Sequence, residues 1–415
     1  MSVLMLKGNR IYTPQRIVKG AILIEEKKIK EIITENDRVD NFTGDVIDVR
    51  NNSIIPGLID IHIHGTGGWG VTGGTTEDIR GLTRYLASKG VTSFQPTIGG
   101  NTLDVVKDSV NNLRTVIEEG HEGAKILGIH MEGPFLNPEK KGAFKVEYLL
   151  KPSLELMEEF LKIGNGHVIH VSMAPELEGA EEVIKYLVYK NILVSGAHTN
   201  ANIAQTKKGI DWGIRLSNHT GNAQRSIHHR EPGALGGYLL DERVDCELIC
   251  DLYHIHPDMA KLIIKIKSVD RICLISDSIE ATGIKPGEYN FLGRMALVDE
   301  DGWSKLPDGT IAGSTKDMIY GFRNLVKELN FSMEDAIKMA CVNPARLSNV
   351  LDSKGTIEVN KDADLVVIDD EFNVMYTFVE GKLEYSKDFN YDYCNPKIIP
   401  VRTMKEARGD YIGQC

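Results

Sequence analysis

The sequence predicts an α/β protein: a (β/α)8 TIM-like barrel carrying a small β-sandwich domain built from both termini. Three observations lead there. Between residues 56 and 349, short apolar runs alternate with helical patterns, as parallel strands joined by helical crossovers do. Eight such runs fall within about 220 residues, which suits a barrel better than an open sheet. Hairpin-rich β texture occupies both ends of the chain.

Taken in order, the first fifty residues read as short strands, "SVLMLKGNRIYTP", "GAILIEEKKIKEII" and "DVIDVRNNSIIPG", punctuated by Gly8, Gly20 and Gly44. After Pro56-Gly57 come the barrel candidates "LIDIHIH", "VTSFQPT", "ILGIHME", "VIHVSMAP", "LVSGAH", "IRLSNH", "ELICDLYHI" and "RICLISD". Helices are expected over 76–89, 102–119, 153–163, 178–190 and 200–209. Beyond residue 350, "GTIEVNKDADLVVIDDEFNVMYTFVEGKLEY" returns to β texture. The expected division is 1–55 with 350–390 as the small domain, 56–349 as the barrel, and 391–415 as a C-terminal tail.

Composition narrows the function. The 415 residues are 42% hydrophobic and 26% charged, with a net charge of -11, so a basic footprint for nucleic acid is missing. A few local cations could still serve an anionic substrate. The six cysteines are scattered without Cys-x-x-Cys spacing and read as reduced thiols. The N-terminus lacks a long apolar signal segment and no apolar run approaches a membrane span, so a cytoplasmic protein with no membrane contact is expected.

The chemistry gathers at strand ends. His62 and His64 lie two apart in a strand, so both rings point to one side and can face one metal. Two surface histidines would show the same spacing. His130, His170, His198, His219, Glu132 and Asp277 also fall at or near the ends of strand-like runs, which converge on one face of a barrel. His130 and His170 read more simply as buried histidines with local hydrogen bonds. Glu132, placed before a Gly-Pro turn, needs a cationic partner; a metal shared with imidazoles suits Zn²⁺, Fe²⁺ or Mn²⁺, and a structural salt bridge is the alternative. Asp277 follows the last barrel run, where it could accept a proton from a metal-bound water or cap the next helix. His228, His229 and Arg230, with Arg225 upstream, read as an anion site or as a solvated charged loop.

With these residues in view, the chain resembles the N-acetylglucosamine-6-phosphate deacetylase family of the amidohydrolase superfamily. The motifs are "PGLIDIHIHG", "HMEGPF", "GAHTNA", "NHTGNA", "REPGALG", "SD" before "EATG", "IAGS", "NPAR" and the closing "GTIEVNKDADLVVID". The resemblance implies Glu132, His198 and His219 as metal ligands, with His62 and His64 as a second pair kept by members that hold two metals. One or two divalent transition metals per chain are implied, zinc first, iron or manganese otherwise. It implies Asp277 as the acid/base group. Ala143, Asn222 and Ala223 would adjoin the sugar, and Ile311, Ala312 and Gly313 a loop closing over it. Arg230 and His254 match a phosphate-binding pair supplied by the neighbouring subunit of a homodimer. The implied substrate is a phosphorylated amino sugar, either N-acetylglucosamine-6-phosphate or another such as the galactosamine isomer. A barrel that binds without catalysing should have lost ligands, and this chain keeps them.

Three positions depart from the family pattern. Phe144 stands where the family has a substrate-contacting His, Leu252 where Asp-Gly-x-His has Gly, and Gly221 where an aromatic residue is common. All three bear on the sugar and acyl group rather than on hydrolysis.

Overall fold

The computed structural model describes residues 3–37, 42–389, 391, 393–395 and 397, together with the backbone of 402–403. Most of the expected tail, 391–415, lies outside the described residues.

The eight barrel runs all become parallel strands: Leu58–Ile63, Val91–Ile98, Ile129–Glu132, Val168–Met173, Leu193–Gly196, Leu216–Ser217, Asp245–Ile249 and Ile272–Ile275. Their residues are buried almost throughout, as expected where helices cover the outside and side chains fill the inside. Between the eighth strand and the first, two bonds just past the strand ends join the circle. Asp277 N donates to His62 O at 3.0 Å, and His64 N donates to Ser278 O at 2.8 Å. Parallel strands bring all C-terminal ends to one rim, which is where the chemistry-bearing residues of the sequence stand.

Local chemistry sets the helix boundaries. Thr75 and Asp78 form a capping box that starts Thr76–Ser88, Ser153 caps Leu154–Gly164, and an Asn202–Gln205 box starts Ile203–Trp212. That last box moves the expected 200–209 helix three residues along. Expected 178–190 is found as Ala180–Tyr189. The run "ELICDLYHI" does not stay extended. The Asp251 carboxylate accepts the backbone N–H groups of Tyr253 and His254, both at 2.9 Å, and turns the chain into a loop after Ile249.

Strands from both ends build the second sheet. Its order is Lys382–Ser386, Val374–Val379, Leu365–Ile368, Ser53–Pro56, Val3–Tyr12, Ile17–Glu25 and Lys28–Thr34, with Asp45–Asp48 also on Val3–Tyr12. Val3–Tyr12 therefore changes partner along one edge, and the sheet encloses its own core of Leu6, Ile22, Ile54, Leu365 and Phe378.

One element has no counterpart among the expected ones. After the eighth strand, Gly287–Phe291 and Arg294–Val298 form an antiparallel hairpin, flanked by Ser304–Lys305 and Arg402–Thr403. Its two-residue turn, Leu292-Gly293, has φ of 49° and 74°, the positive values that a tight hairpin turn of right twist requires. The alternating "EYNFLGRMALV" with Gly in the turn carried the signal.

Candidate active site and metal centre

Glu132 ends the third strand, 2% exposed, and every candidate ligand meets it. Its Oε1 lies 3.0 Å from His219 Nε2 and 3.3 Å from His198 Nε2; its Oε2 lies 3.1 Å from His64 Nε2. His62 Nε2 is 3.6 Å from Oε1. Two groups result that could hold a metal ion, His62–His64–Glu132 and Glu132–His198–His219, and they share the carboxylate. Asp277 Oδ1 lies 3.6 Å from His62 Nε2 and 3.5 Å from His64 Nε2.

The rings are oriented from behind. His64 Nδ1 lies 3.1 Å from Thr97 O, His198 Nδ1 2.6 Å from Lys140 O, and His62 Nδ1 3.0 Å from Glu247 Oε2. Carbonyls and carboxylates only accept, so each of these Nδ1 atoms carries the proton and each Nε2 presents a lone pair. Three lone pairs thus converge on the oxygens of one buried carboxylate, an arrangement that is repulsive without a cation among them. His62 Nε2 has no hydrogen-bond partner. The donor set therefore fits a divalent metal bound by imidazole and carboxylate. The carboxylates of Glu247, Glu132 and Asp277 favour positive charge at this point. Burial disfavours a charged His62, but Glu247, Glu132 and Asp277 together hold its pKa well above the usual histidine value. Burial would raise the Glu132 carboxyl, yet the imidazoles gathered around it, His62 foremost, hold it well below the usual range.

His130 and His170 lie one layer deeper and take no part. Their rings stack at 3.7 Å, and each uses both nitrogens: His130 on Thr97 and Ser172, His170 on Gln95 and Ser195. Burial lowers both pKa values and leaves them neutral.

The backbone turns sharply where these side chains leave the strands. His198, His219, Ala223 and Asp277 have φ of 41°, 24°, 49° and 48°. Such left-handed conformations are uncommon outside glycine and gather at functional sites.

Above the cluster opens a pocket of about 340 Å³, lined by His64, Glu132, His198, His219 and Asp277 and, among the other expected residues, by Ala143, Asn222, Ala223, His254, Ile311 and Gly313. His62 forms part of the floor, fully buried. Ala312 turns inward, 0% exposed, into the cluster that contains Ile279 and Phe144. Phe144 lines the pocket with its ring centroid 5.1 Å from that of His198, and the unexpected hairpin adds Phe291 and Leu292. The rings of His228 and His229 lie 4.2 Å apart, tilted by 40°, on an exposed loop outside the pocket, so neither replaces the missing histidine at 144.

Arg230 and His254 separate. Arg230 is exposed and outside the pocket. His254 lines the pocket of its own chain, its Nδ1 2.8 Å from Asp251 Oδ2, and so stands apart from the exposed Arg230 with which it was expected to pair. Burial would raise Asp251, but the hydrogen bond and charge of His254 and two backbone N–H groups bring it to about 2. A charged Asp251 holds the His254 ring in place. Sequence reasoning missed Glu247, the Lys140 and Thr97 carbonyls, and the hairpin residues.

A parallel barrel with imidazoles and one shared carboxylate at its strand ends defines a class, the barrel hydrolases of the amidohydrolase type. The model of the amidohydrolase family matches residues 53–384, and the chain belongs to that family, enzymes that cleave carbon–nitrogen bonds with water. It is 32% identical over 386 residues to the N-acetylglucosamine-6-phosphate deacetylase of Bacillus subtilis (strain 168), covering 92% of this chain and 97% of that one. It is 31% identical over 330 residues to the N-acetylgalactosamine-6-phosphate deacetylase of Escherichia coli O157:H7, covering 80% and 87%. The crystal structure of N-acetylglucosamine-6-phosphate deacetylase from Pasteurella multocida superposes with a TM-score of 0.86 at 28% identity, over 92% of this chain and 99% of that one.

Proposed function

We propose that this protein hydrolyses the N-acetyl group of N-acetylglucosamine-6-phosphate, giving glucosamine-6-phosphate and acetate in amino-sugar catabolism. The carrying observation is the pair of triads sharing Glu132 beneath a pocket that Asp277 also lines. Glu132, His198 and His219 would hold one metal, and His62 and His64 with Glu132 a second. Zinc suits the nitrogen and oxygen donors, and iron or manganese would also be accepted. A metal held there would supply a more acidic water and a polarised amide carbonyl. Asp277 takes the proton of the attacking water and returns it to the departing amine, which cannot leave as an anion. Asn222, Ala223, Ala143 and the Ile311–Gly313 segment position the sugar, and His254 meets its phosphate. Arg230, which does not line its own pocket, completes the phosphate site of a second subunit in a homodimer.

We take 1–55 with 350–390 as the small domain, 56–349 as the barrel and 391–415 as the tail, in a cytoplasmic enzyme. Among the described residues no helix is long and apolar enough to cross a membrane. A second reading, the galactosamine epimer, draws on the 31% identical relative and on Phe144, Leu252 and Gly221. A panel of N-acyl hexosamines, with and without 6-phosphate, assayed after metal reconstitution, separates the two. No turnover of any phosphorylated N-acyl sugar would refute both.

A further inference from the structure

Glu247 lies mid-strand in Asp245–Ile249, 0% exposed, and lines no pocket that adjoins the cluster. An ionised carboxylate there is costly unless its charge is used. Only one of its oxygens is engaged. Oε2 accepts from His62 Nδ1 at 3.0 Å and from the backbone N–H of His219 at 2.8 Å, while Oε1 has no partner. His219 N–H alone would be content with any neutral acceptor. The carboxylate makes sense through His62. It fixes the ring with the proton on Nδ1 and the lone pair of Nε2 turned toward Glu132 and Asp277, and it strengthens that lone pair as a donor. His64 and His198 lean on neutral backbone carbonyls instead. Among the four rings, His62 alone is backed by a charge, and it belongs to the triad that shares Glu132 with the other.

We propose that Glu247 is a positioning residue that sets occupancy of the second metal position: by fixing and polarising His62 it lets the His62–His64–Glu132 triad fill alongside Glu132–His198–His219. The proposal rests on the reading that both triads bind metal. The test is titration of metal-stripped protein with Zn²⁺ against a chromophoric chelator, with elemental analysis at each plateau. Wild type should take up two zinc ions per chain in two phases. Glu247→Gln retains the size and one acceptor but not the charge. Glu247→Leu removes both acceptors. The second phase should weaken about tenfold in Gln and about a hundredfold in Leu, the range typical for partners behind a ligand, while the first phase stays within about threefold in Gln, whose amide oxygen can still accept from His219 N–H. Nitrogen-15 NMR of the imidazoles supplies a readout that a packing role would not move. His62, assigned by loss of its signal in His62→Gln, should be Nδ1-protonated in wild type and lose that preference in Leu.

An unchanged second phase, or equal weakening of both phases with a falling melting temperature, overturns the proposal. Wild type that binds one zinc also overturns it and leaves the hydrolase reading intact. Wild type that binds none removes the metal reading itself.

Discussion

Replacing Glu132 by glutamine tests the site at its most connected point. The carboxylate presents Oε1 to His198 and His219 and Oε2 to His64, at 3.0–3.3 Å. Glutamine keeps one oxygen and turns the other into an NH2 group, which cannot ligate. The amide can therefore serve one triad at most, and with a neutral donor. A zinc site of four ligands binds with about 10–16 kcal/mol, so an equal share is about 3 kcal/mol per ligand. At about 1.4 kcal/mol per decade, the better-served position should weaken mildly and the other by roughly a hundredfold. In wild type both positions should fill at micromolar zinc; in Glu132→Gln elemental analysis should find no more than one ion per chain. Turnover should fall by at least about a hundredfold, because one of the two triads would lose its carboxylate donor. The fold should survive, since Gln matches Glu in size and Asn218, which donates to Oε1 at 2.9 Å, can bond the amide oxygen. Wild-type metal content and affinity in this variant, or full activity in a metal-free preparation, would refute the reasoning.

Three further outcomes are expected. Asp277→Asn should keep its metal and lose at least about a hundredfold in turnover, the lower range for removing an acid/base group; near-normal turnover would assign the proton to another residue. Arg230→Ala should cut kcat/KM for a phosphorylated substrate by roughly ten- to a hundredfold, from a charge-assisted contact of about 1.5–3 kcal/mol, and barely affect the unphosphorylated sugar. A strictly monomeric active species in sedimentation would dispose of the shared-site role. Phe144→His restores a hydrogen-bond donor to the pocket wall and should raise activity on N-acetylglucosamine-6-phosphate by about threefold or more; no gain, with wild type already preferring that sugar, would show that Phe144 does not mark a changed specificity.

Much of this architecture could be read before the coordinates. Continuous apolar runs mark strands buried on both faces, and a polar residue directly after such a run is already at the rim. That rule placed Glu132, His198, His219 and Asp277. It separated His130 and His170 less well, because they lie two residues short of the positions that reach the rim, and only the observed bonds to Thr97, Ser172, Gln95 and Ser195 show both rings fully occupied. Glu247 was illegible for a different reason. A lone Glu inside "DCELIC" says nothing of which neighbour it meets across the barrel, and His62 is 185 positions away. The separation of Arg230 from His254 depends on loop paths, which local pattern does not specify. Ala312 shows the same limit: its segment reaches the pocket, but the alternation of side chains sends this one into the core.

The left-handed turns at His198, His219 and Asp277 have an evolutionary corollary. Histidine, aspartate and asparagine are among the few non-glycine residues that adopt this backbone region with any frequency, while β-branched and bulky ones are strongly disfavoured. A mutation from ligand to valine at such a point would lose the donor and also oppose the peptide chain's own path. Drift at these three sites is thus channelled toward a short polar alphabet, much of which can still bind a cation or carry a proton. The barrel rim would remember its trade even after its substrate had changed.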